Sequence, residues 1–309
     1  FKEQHDYSEL KQFFVDYATY KDVLGVKFRF VSTAGSYFGS PVASKAYNLL
    51  ETLPFLQMFV GTELRQIKDT RLGAEHQTKD AEDLLSMKRE NHYPYREEDT
   101  LFILGANGDR GDGMVDQSAA HLAVHALGTA KIGAAPTAEN ERVEVVVDRL
   151  PDFTIVPLPT KHFTENSLFG HTYGAAYMED GNPVFPYLLR FVRKDWADIN
   201  EALAHSDIKL QQFMVEICFQ KPEGVANPSF QRKSNTGNVR INGEFTNKES
   251  DTYVWMGTFV GEDQRMNLEK KEDDSGFVTF SVWRDPQAKY TMDIPVYPGC
   301  NTFVKMELR

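Results

Sequence analysis

The stretch FMVEICFQ, residues 213–220, decides the fold of the carboxyl-terminal part of this chain. Alternate positions hold Phe213, Val215, Ile217 and Phe219, which therefore share one face of an extended strand, while Glu216 and Gln220 face the other way. The same alternation recurs in five further segments, which are centred near Ile241, Trp255, Phe280, Met292 and Met306. Turn residues such as Pro298-Gly299 separate them. The pattern predicts six short strands in an antiparallel β-sandwich or a jelly-roll-like domain.

The amino-terminal part alternates between helical and strand patterns. Ser40-Pro41 is typical of a helix start, and the apolar spacing that follows predicts a helix over 42–53. The apolar run 101–104 predicts a buried strand, and 117–128, rich in small residues, predicts a second helix.

These patterns define an α+β chain with two parts. We expect a mixed α/β region over residues 1–140 and a β-rich sandwich or barrel-like domain over residues 141–309. A boundary near residue 205 is the alternative.

Composition narrows the range of partners. The 309 residues are 41% hydrophobic and carry a formal net charge of −11, which is the composition of a folded, acidic protein. An acidic surface repels phosphate backbones, so we expect no direct sequence-specific nucleic-acid binding. No apolar run approaches the ~18 residues that a membrane span needs, so no membrane span is expected. Self-association into a homo-oligomer is the predicted partnership.

The segment NGDRGDGMVD, residues 107–116, is the sharpest local motif. Carboxylates at short spacing between glycines can place oxygen ligands around calcium, which makes Asp109, Asp112 and Asp116 candidate metal ligands. The segment does not fit the EF-hand pattern, because its register is wrong by one residue. The alternative is a solvated turn whose glycines and aspartates supply unusual backbone angles.

His121 and His125 extend the candidate metal site. Their spacing of four residues puts both imidazoles on one face of the predicted helix. A zincin protease is excluded, because Leu122 stands where that motif needs a glutamate. The alternative is that both histidines serve packing. The expected cofactor is therefore none, or a divalent cation such as calcium.

No residue is assigned a catalytic role from sequence. The chain contains no Gly-X-Ser-X-Gly motif and no phosphate-binding glycine pattern. His162 and His171 are interpreted as loop histidines. Trp255, Trp283 and Tyr253 could line a sugar site, although such aromatics more often fill a sandwich core.

Two classes of function compete at this point. The first is a self-associating structural protein, such as a viral capsid or particle subunit with a virion or extracellular location, because no catalytic motif accompanies the regular β domain. The alternative is a metal-dependent or carbohydrate-active hydrolase. A monomeric binding module is a third, weaker hypothesis. Whether Cys218 and Cys300 form a disulfide is left open.

Overall fold

The computed structural model describes thirteen stretches of the chain and six single positions. These are residues 29–33, 37–53, 67–75, 99–105, 114–121, 126–133, 141–149, 154–158, 191–193, 212–232, 239–259, 276–284 and 289–309, with residues 12, 16, 23, 77, 79 and 83. They are mostly β-sheet with few helices, and they form three sheets that do not close into a barrel.

The smallest sheet has three parallel strands in the order β1-β2-β6. The strands are β1 (Phe30–Thr33), β2 (Thr100–Gly105) and β6 (Thr154–Leu158). All six residues of β2 are buried, as expected for the central strand of a parallel sheet. Helix α1 (Pro41–Thr52) follows β1 in the chain.

The largest sheet has six strands in the order β5-β3-β13-β7-β10-β9. The strands are β3 (Ala126–Ile132), β5 (Val146–Arg149), β7 (Gln212–Gln220), β9 (Val239–Asn247), β10 (Thr252–Phe259) and β13 (Asn301–Leu308). The sheet is mixed. Strand β13 pairs in parallel with both β3 and β7, whereas the pairs β3–β5, β7–β10 and β9–β10 are antiparallel.

The third sheet has four strands in the order β4-β12-β11-β8. The strands are β4 (Glu141–Val143), β8 (Ser229–Arg232), β11 (Gly276–Trp283) and β12 (Lys289–Val296). Here too the pairing is mixed, since β4 runs parallel to β12.

Two cores lie on the two faces of the six-stranded sheet. The first, which we call the sandwich core, joins it to the four-stranded sheet and includes Phe213, Ile217, Trp255, Phe280 and Val304. The second, which we call the junction, joins its opposite face to the parallel sheet and to the chain segments beside it. The junction includes Phe38, Phe102, Ala119, Met214 and Phe303. The six-stranded sheet is therefore the middle of three layers, and β7 is buried on both faces.

The main sequence predictions for regular structure are confirmed, with identifiable exceptions. The helix predicted at 42–53 is α1, the strand at 101–104 is β2, and all six carboxyl-terminal strands are present. Strand β8 is additional to them. The helix predicted over 117–128 is wrong: a 3₁₀ turn spans Gln117–Ala119, and β3 begins at Ala126 because it can pair with β13.

The antiparallel jelly-roll arrangement is also corrected. A jelly roll is built from antiparallel strands, whereas parallel pairs occur in both larger sheets. The division into residues 1–140 and 141–309 stays a prediction. Strand pairing crosses residue 140 in both directions, because β3 pairs with β13 and β6 pairs with β2.

Two further findings concern sequence predictions. Across the described stretches, no helix combines the length and the apolar character that crossing a membrane requires. Cys218 and Cys300 are not joined in a disulfide; the first is half-buried and the second is buried.

Candidate functional site

The carboxyl ends of the three parallel strands meet at one edge of their sheet. Gly105, the last residue of β2, lies opposite Leu158, the last residue of β6, and Thr33 ends β1 beside Ile103. In open sheets with parallel strands, ligands bind outside the carboxyl ends of the strands. This edge, which we call the carboxyl edge, is therefore the candidate functional site.

The loop after β1 is fixed to the chain segment that follows β2. The Tyr37 and Phe38 amides donate to the Ala119 carbonyl at 2.9 and 3.3 Å. The Ser40 hydroxyl donates to the Met114 carbonyl and accepts from the Ala43 amide, so it also caps helix α1. The two loops at the carboxyl edge are therefore held directly to each other.

Gly39 makes this loop possible. Its φ is +89°, and a Cβ there would lie 2.6 Å from the carbonyl oxygen of Arg71. A side chain is excluded both by the left-handed backbone and by the approach of 67–75, the neighbouring segment.

A buried aspartate, Asp116, caps the 3₁₀ turn at Gln117–Ala119, whose Ala119 carbonyl holds the loop after β1. Asp116 is 6% exposed, and its Oδ1 accepts from the Ser118 amide at 3.0 Å and from the Ser118 hydroxyl at 2.6 Å. Loss of solvation raises the pKa of Asp116 to about 6, although the hydrogen bonds from Ser118 and from the Gln212 side chain oppose that rise. The turn is thus built around a carboxylate that burial makes easier to protonate.

His121 connects the same segment to the sandwich. Its Nε2 lies 2.7 Å from the carbonyl oxygen of Gly299, in the turn between β12 and β13. The Gly299 amide in turn donates to the main-chain carbonyl of Gln212 at 2.6 Å, and the Gln212 side-chain Oε1 accepts from the Gln117 amide at 3.1 Å. A continuous set of hydrogen bonds therefore runs from the six-stranded sheet to the carboxyl edge.

A second buried carboxyl lies on the junction face of the six-stranded sheet. Glu216 is 1% exposed, and its Oε1 accepts from Asn301 Nδ2 at 3.0 Å. Loss of solvation raises the pKa of Glu216 to about 8, against a smaller lowering by the Asn301 hydrogen bond. Burial therefore favours the protonated, neutral form of Glu216 in the folded chain.

The structure describes two of the five residues predicted as metal ligands. Asp116 and His121 both lie at the junction, each engaged in the hydrogen bonds given above. Asp109, Asp112 and His125 lie outside the described residues. In the described part of the chain, no group of three or more histidine, cysteine, aspartate or glutamate side chains is placed to hold a metal ion. The metal site stays a prediction, although the helix on which the histidine spacing depended is wrong.

The aromatic residues considered for a sugar site belong mainly to the sandwich core. Trp255 is 2% exposed, and its ring centroid lies 4.6 Å from that of Phe280. Tyr253 stacks on Trp255 at 6.1 Å, and Trp283 is half-buried with Lys289 over its ring.

Sequence reasoning missed Gln212, Ser118 and Gly299. One signal was available in β7, whose stretch FMVEICF is nearly continuous in apolar residues instead of strictly alternating. Such a run indicates a strand that is buried on both faces, so its single glutamate should have been expected at a buried position.

Comparison with known proteins finds a similar fold in a solved structure of a phospholipase. No protein-family model matches the chain, and no curated protein matches it. Among solved structures, phospholipase PlaB from Legionella pneumophila is similar, with a TM-score of 0.55 and 10% sequence identity. The likeness covers 90% of this chain and 69% of that one, and at this identity it establishes a shared fold.

This likeness overturns the prediction of a capsid, virion or other shell subunit. That prediction depended on a regular β domain that no catalytic motif accompanies. The chain instead has a parallel sheet packed against mixed sheets, in an arrangement similar to that of a phospholipase.

Proposed function

We propose that this protein is a hydrolase that cleaves ester bonds of phospholipid-like substrates at the carboxyl edge of its parallel sheet. The observation that carries the proposal is the fold shared with a phospholipase over 90% of the chain. The proposal agrees with the hydrolase alternative of the sequence analysis, and it replaces the hypothesis of a self-associating structural protein.

Topology supports this location for the chemistry. Gly105 and Leu158 are paired neighbours at the carboxyl edge, so β2 and β6 end at adjacent positions of the sheet. Ester hydrolysis needs a nucleophile, which is water or a side-chain hydroxyl, a base that takes its proton, most often a histidine, and a carboxylate that orients the base. The α/β-hydrolase arrangement provides the carboxylate and the base in the chain order acid, then histidine.

The sequence supplies both residue types in that order. In sequence, Asp109 and Asp112 lie between Gly105, the last residue of β2, and Met114, whose carbonyl accepts a hydrogen bond from Ser40. His162 and His171 come after Leu158 and, like the two aspartates, lie outside the described residues. We propose that the catalytic carboxylate is one of these two aspartates and that the base is one of these two histidines.

The metal-dependent form of the reaction is the second candidate mechanism. It would use Asp109, Asp112, Asp116, His121 and His125 around a divalent cation. The described contacts favour acid–base chemistry, because Asp116 is already used within the 3₁₀ turn and His121 already contacts Gly299.

Fatty-acid release from vesicles of phosphatidylcholine and phosphatidylglycerol tests the activity directly. We expect the purified protein to release fatty acid with and without EDTA. Loss of release in EDTA, restored by calcium, would favour the metal-dependent mechanism, and absence of release under both conditions would overturn the hydrolase proposal.

Single substitutions test the acid and the base. Asp109→Asn, Asp112→Asn, His162→Gln and His171→Gln are compared with Glu244→Gln, which changes an exposed carboxylate on β9. Removing a general base or its carboxylate lowers turnover by about 100-fold to 10,000-fold. We expect one aspartate and one histidine variant in that range and the Glu244→Gln rate within about twofold of the wild type. If all four variants kept the wild-type rate, the assignment would be wrong.

A further inference from the structure

The two loops at the carboxyl edge depend on each other and on one side chain beyond them. Ala119, at the end of the 3₁₀ turn, receives the hydrogen bonds of Tyr37 and Phe38, so the turn sets the position of the loop after β1. The turn itself is held from the other side by Gln212, the first residue of β7.

Gln212 reaches the turn through its side-chain amide. Its Oε1 accepts from the Gln117 amide at 3.1 Å, and the side chain also hydrogen-bonds to the Asp116 carboxylate. Its own backbone is fixed by the Gly299 amide. A glutamine that is 5% exposed and bonded at all these points has little freedom to move.

The surroundings of Gln212 make these bonds difficult to replace. On the same face of β7 the next residue is Met214, a fully buried member of the junction. Without Gln212, the Gln117 amide and the Asp116 carboxylate would each lose a buried partner, and the turn would have to move to find another.

We infer that Gln212 is a positioning residue, through which the six-stranded sheet sets the geometry of the loops at the carboxyl edge. This inference rests on the proposed function, because it concerns turnover at that edge. It assigns the sandwich a part in the reaction in addition to its contribution to stability.

The test compares two substitutions on β7 that point in opposite directions. Gln212→Leu removes the polar contacts at the junction, whereas Val215→Ala removes apolar volume from the sandwich core. Turnover is measured on phosphatidylcholine vesicles, at a temperature where both variants are folded by circular dichroism. Displacement of reacting groups by about 1 Å can cost about 100-fold. We expect Gln212→Leu to lower kcat by roughly 10-fold to 100-fold with KM nearly unchanged, and Val215→Ala to keep kcat within about twofold.

Ser118→Ala provides a second variant should Gln212→Leu fail to fold. It removes the hydroxyl that donates to Asp116 from within the turn, and the smaller side chain fits without crowding. We expect a several-fold fall in kcat, again with little change in KM.

Amide hydrogen exchange separates failure of this inference from failure of the proposed function. Whether or not the wild type hydrolyses lipid, we expect faster exchange in 37–40 and 114–121 for Gln212→Leu and unchanged exchange there for Val215→Ala. Equal exchange in the two variants would overturn the positioning role, and so would equal kcat values if the wild type hydrolyses the lipid.

Discussion

The two faces of the six-stranded sheet differ in chemistry although the same strands build both. The sandwich face presents Phe213, Val215 and Ile217 to an apolar core. The junction face presents Gln212, Met214 and Glu216, and its polar groups are bonded to the 3₁₀ turn and to Asn301. We conclude that the sandwich face mainly supplies stability, while the junction face connects the sheet to the candidate site.

The largest effect on stability is expected from the apolar face. Phe280 is fully buried and packs against Trp255 and Phe230, so Phe280→Ala should lower the free energy of unfolding by about 3–5 kcal/mol. Phe277→Ala, on the same strand but 54% exposed, should cost less than about 0.5 kcal/mol. Denaturant titration of both variants measures the difference, and similar costs would show that this face is not the main source of stability.

An intermediate effect that depends on pH is expected from the junction face. The pKa of Glu216 rises from its ordinary value of 4.5 to about 8 on folding. Between these values the unfolded chain releases a proton that the folded chain keeps, so the free energy of unfolding falls as pH rises, and the loss is complete above about pH 8. The slope is at most about 1.4 kcal/mol per pH unit.

Glu216→Gln isolates this contribution, because the amide oxygen can accept from Asn301 without ionising. We expect the variant and the wild type to be equally stable near pH 4 and the variant to be more stable by a few kcal/mol near pH 8.5. Thermal unfolding across this range measures the difference. If the stabilities of the variant and the wild type changed in parallel with pH, Glu216 would be solvated in the folded chain. Water would then reach the junction face of the six-stranded sheet.

The smallest effect is expected at the rim of the junction, where the tip of the β9–β10 hairpin meets the segment 67–75. Glu249 bonds Arg71 at 2.9 Å and Lys68 at 3.0 Å, but its side chain is 47% exposed. Burial opposes ionisation, yet the hydrogen bond from Lys68 and the charge of Arg71 lower the pKa of Glu249 overall. Because solvent screens this pair, Glu249→Gln should cost below about 1 kcal/mol.

Salt provides the check on that last prediction. The difference in unfolding free energy between Glu249→Gln and the wild type should shrink in 1 M NaCl, where charges are screened within about 3 Å. It should also vanish as pH falls through the lowered pKa, because Glu249 then loses its charge. If Glu249→Gln lowered the free energy of unfolding by more than about 2 kcal/mol and salt did not change this loss, the ion pairs of Glu249 would be shielded from solvent, and the prediction would be wrong.

The sandwich face was predictable from the sequence, and the junction was not. Alternation in segments such as 278–282 and 290–296 is a local property, and it predicts strands whichever partners they find. Strand β8, with only four residues between Pro228 and a polar segment, carries too short a pattern. The segment 126–132 has small residues that suit a helix, but pairing with β13 made it a strand.

The contacts at the candidate site join distant parts of the chain. His121 contacts Gly299, which is 178 positions later, and Gln117 bonds Gln212, 95 positions later. No local pattern encodes such a pair, since each residue alone is ordinary in its segment. The acidic motif at 107–116 begins two residues after β2 ends at Gly105, and it was interpreted as a calcium site.

Fatty-acid release from phospholipid vesicles in the presence of EDTA is the decisive test of whether the protein hydrolyses phospholipid without a metal ion. We expect steady release by the wild type, with loss of turnover in one of Asp109→Asn and Asp112→Asn and in one of His162→Gln and His171→Gln. A wild-type protein that is folded, as judged by its thermal transition, and that releases no fatty acid from these vesicles would contradict this expectation.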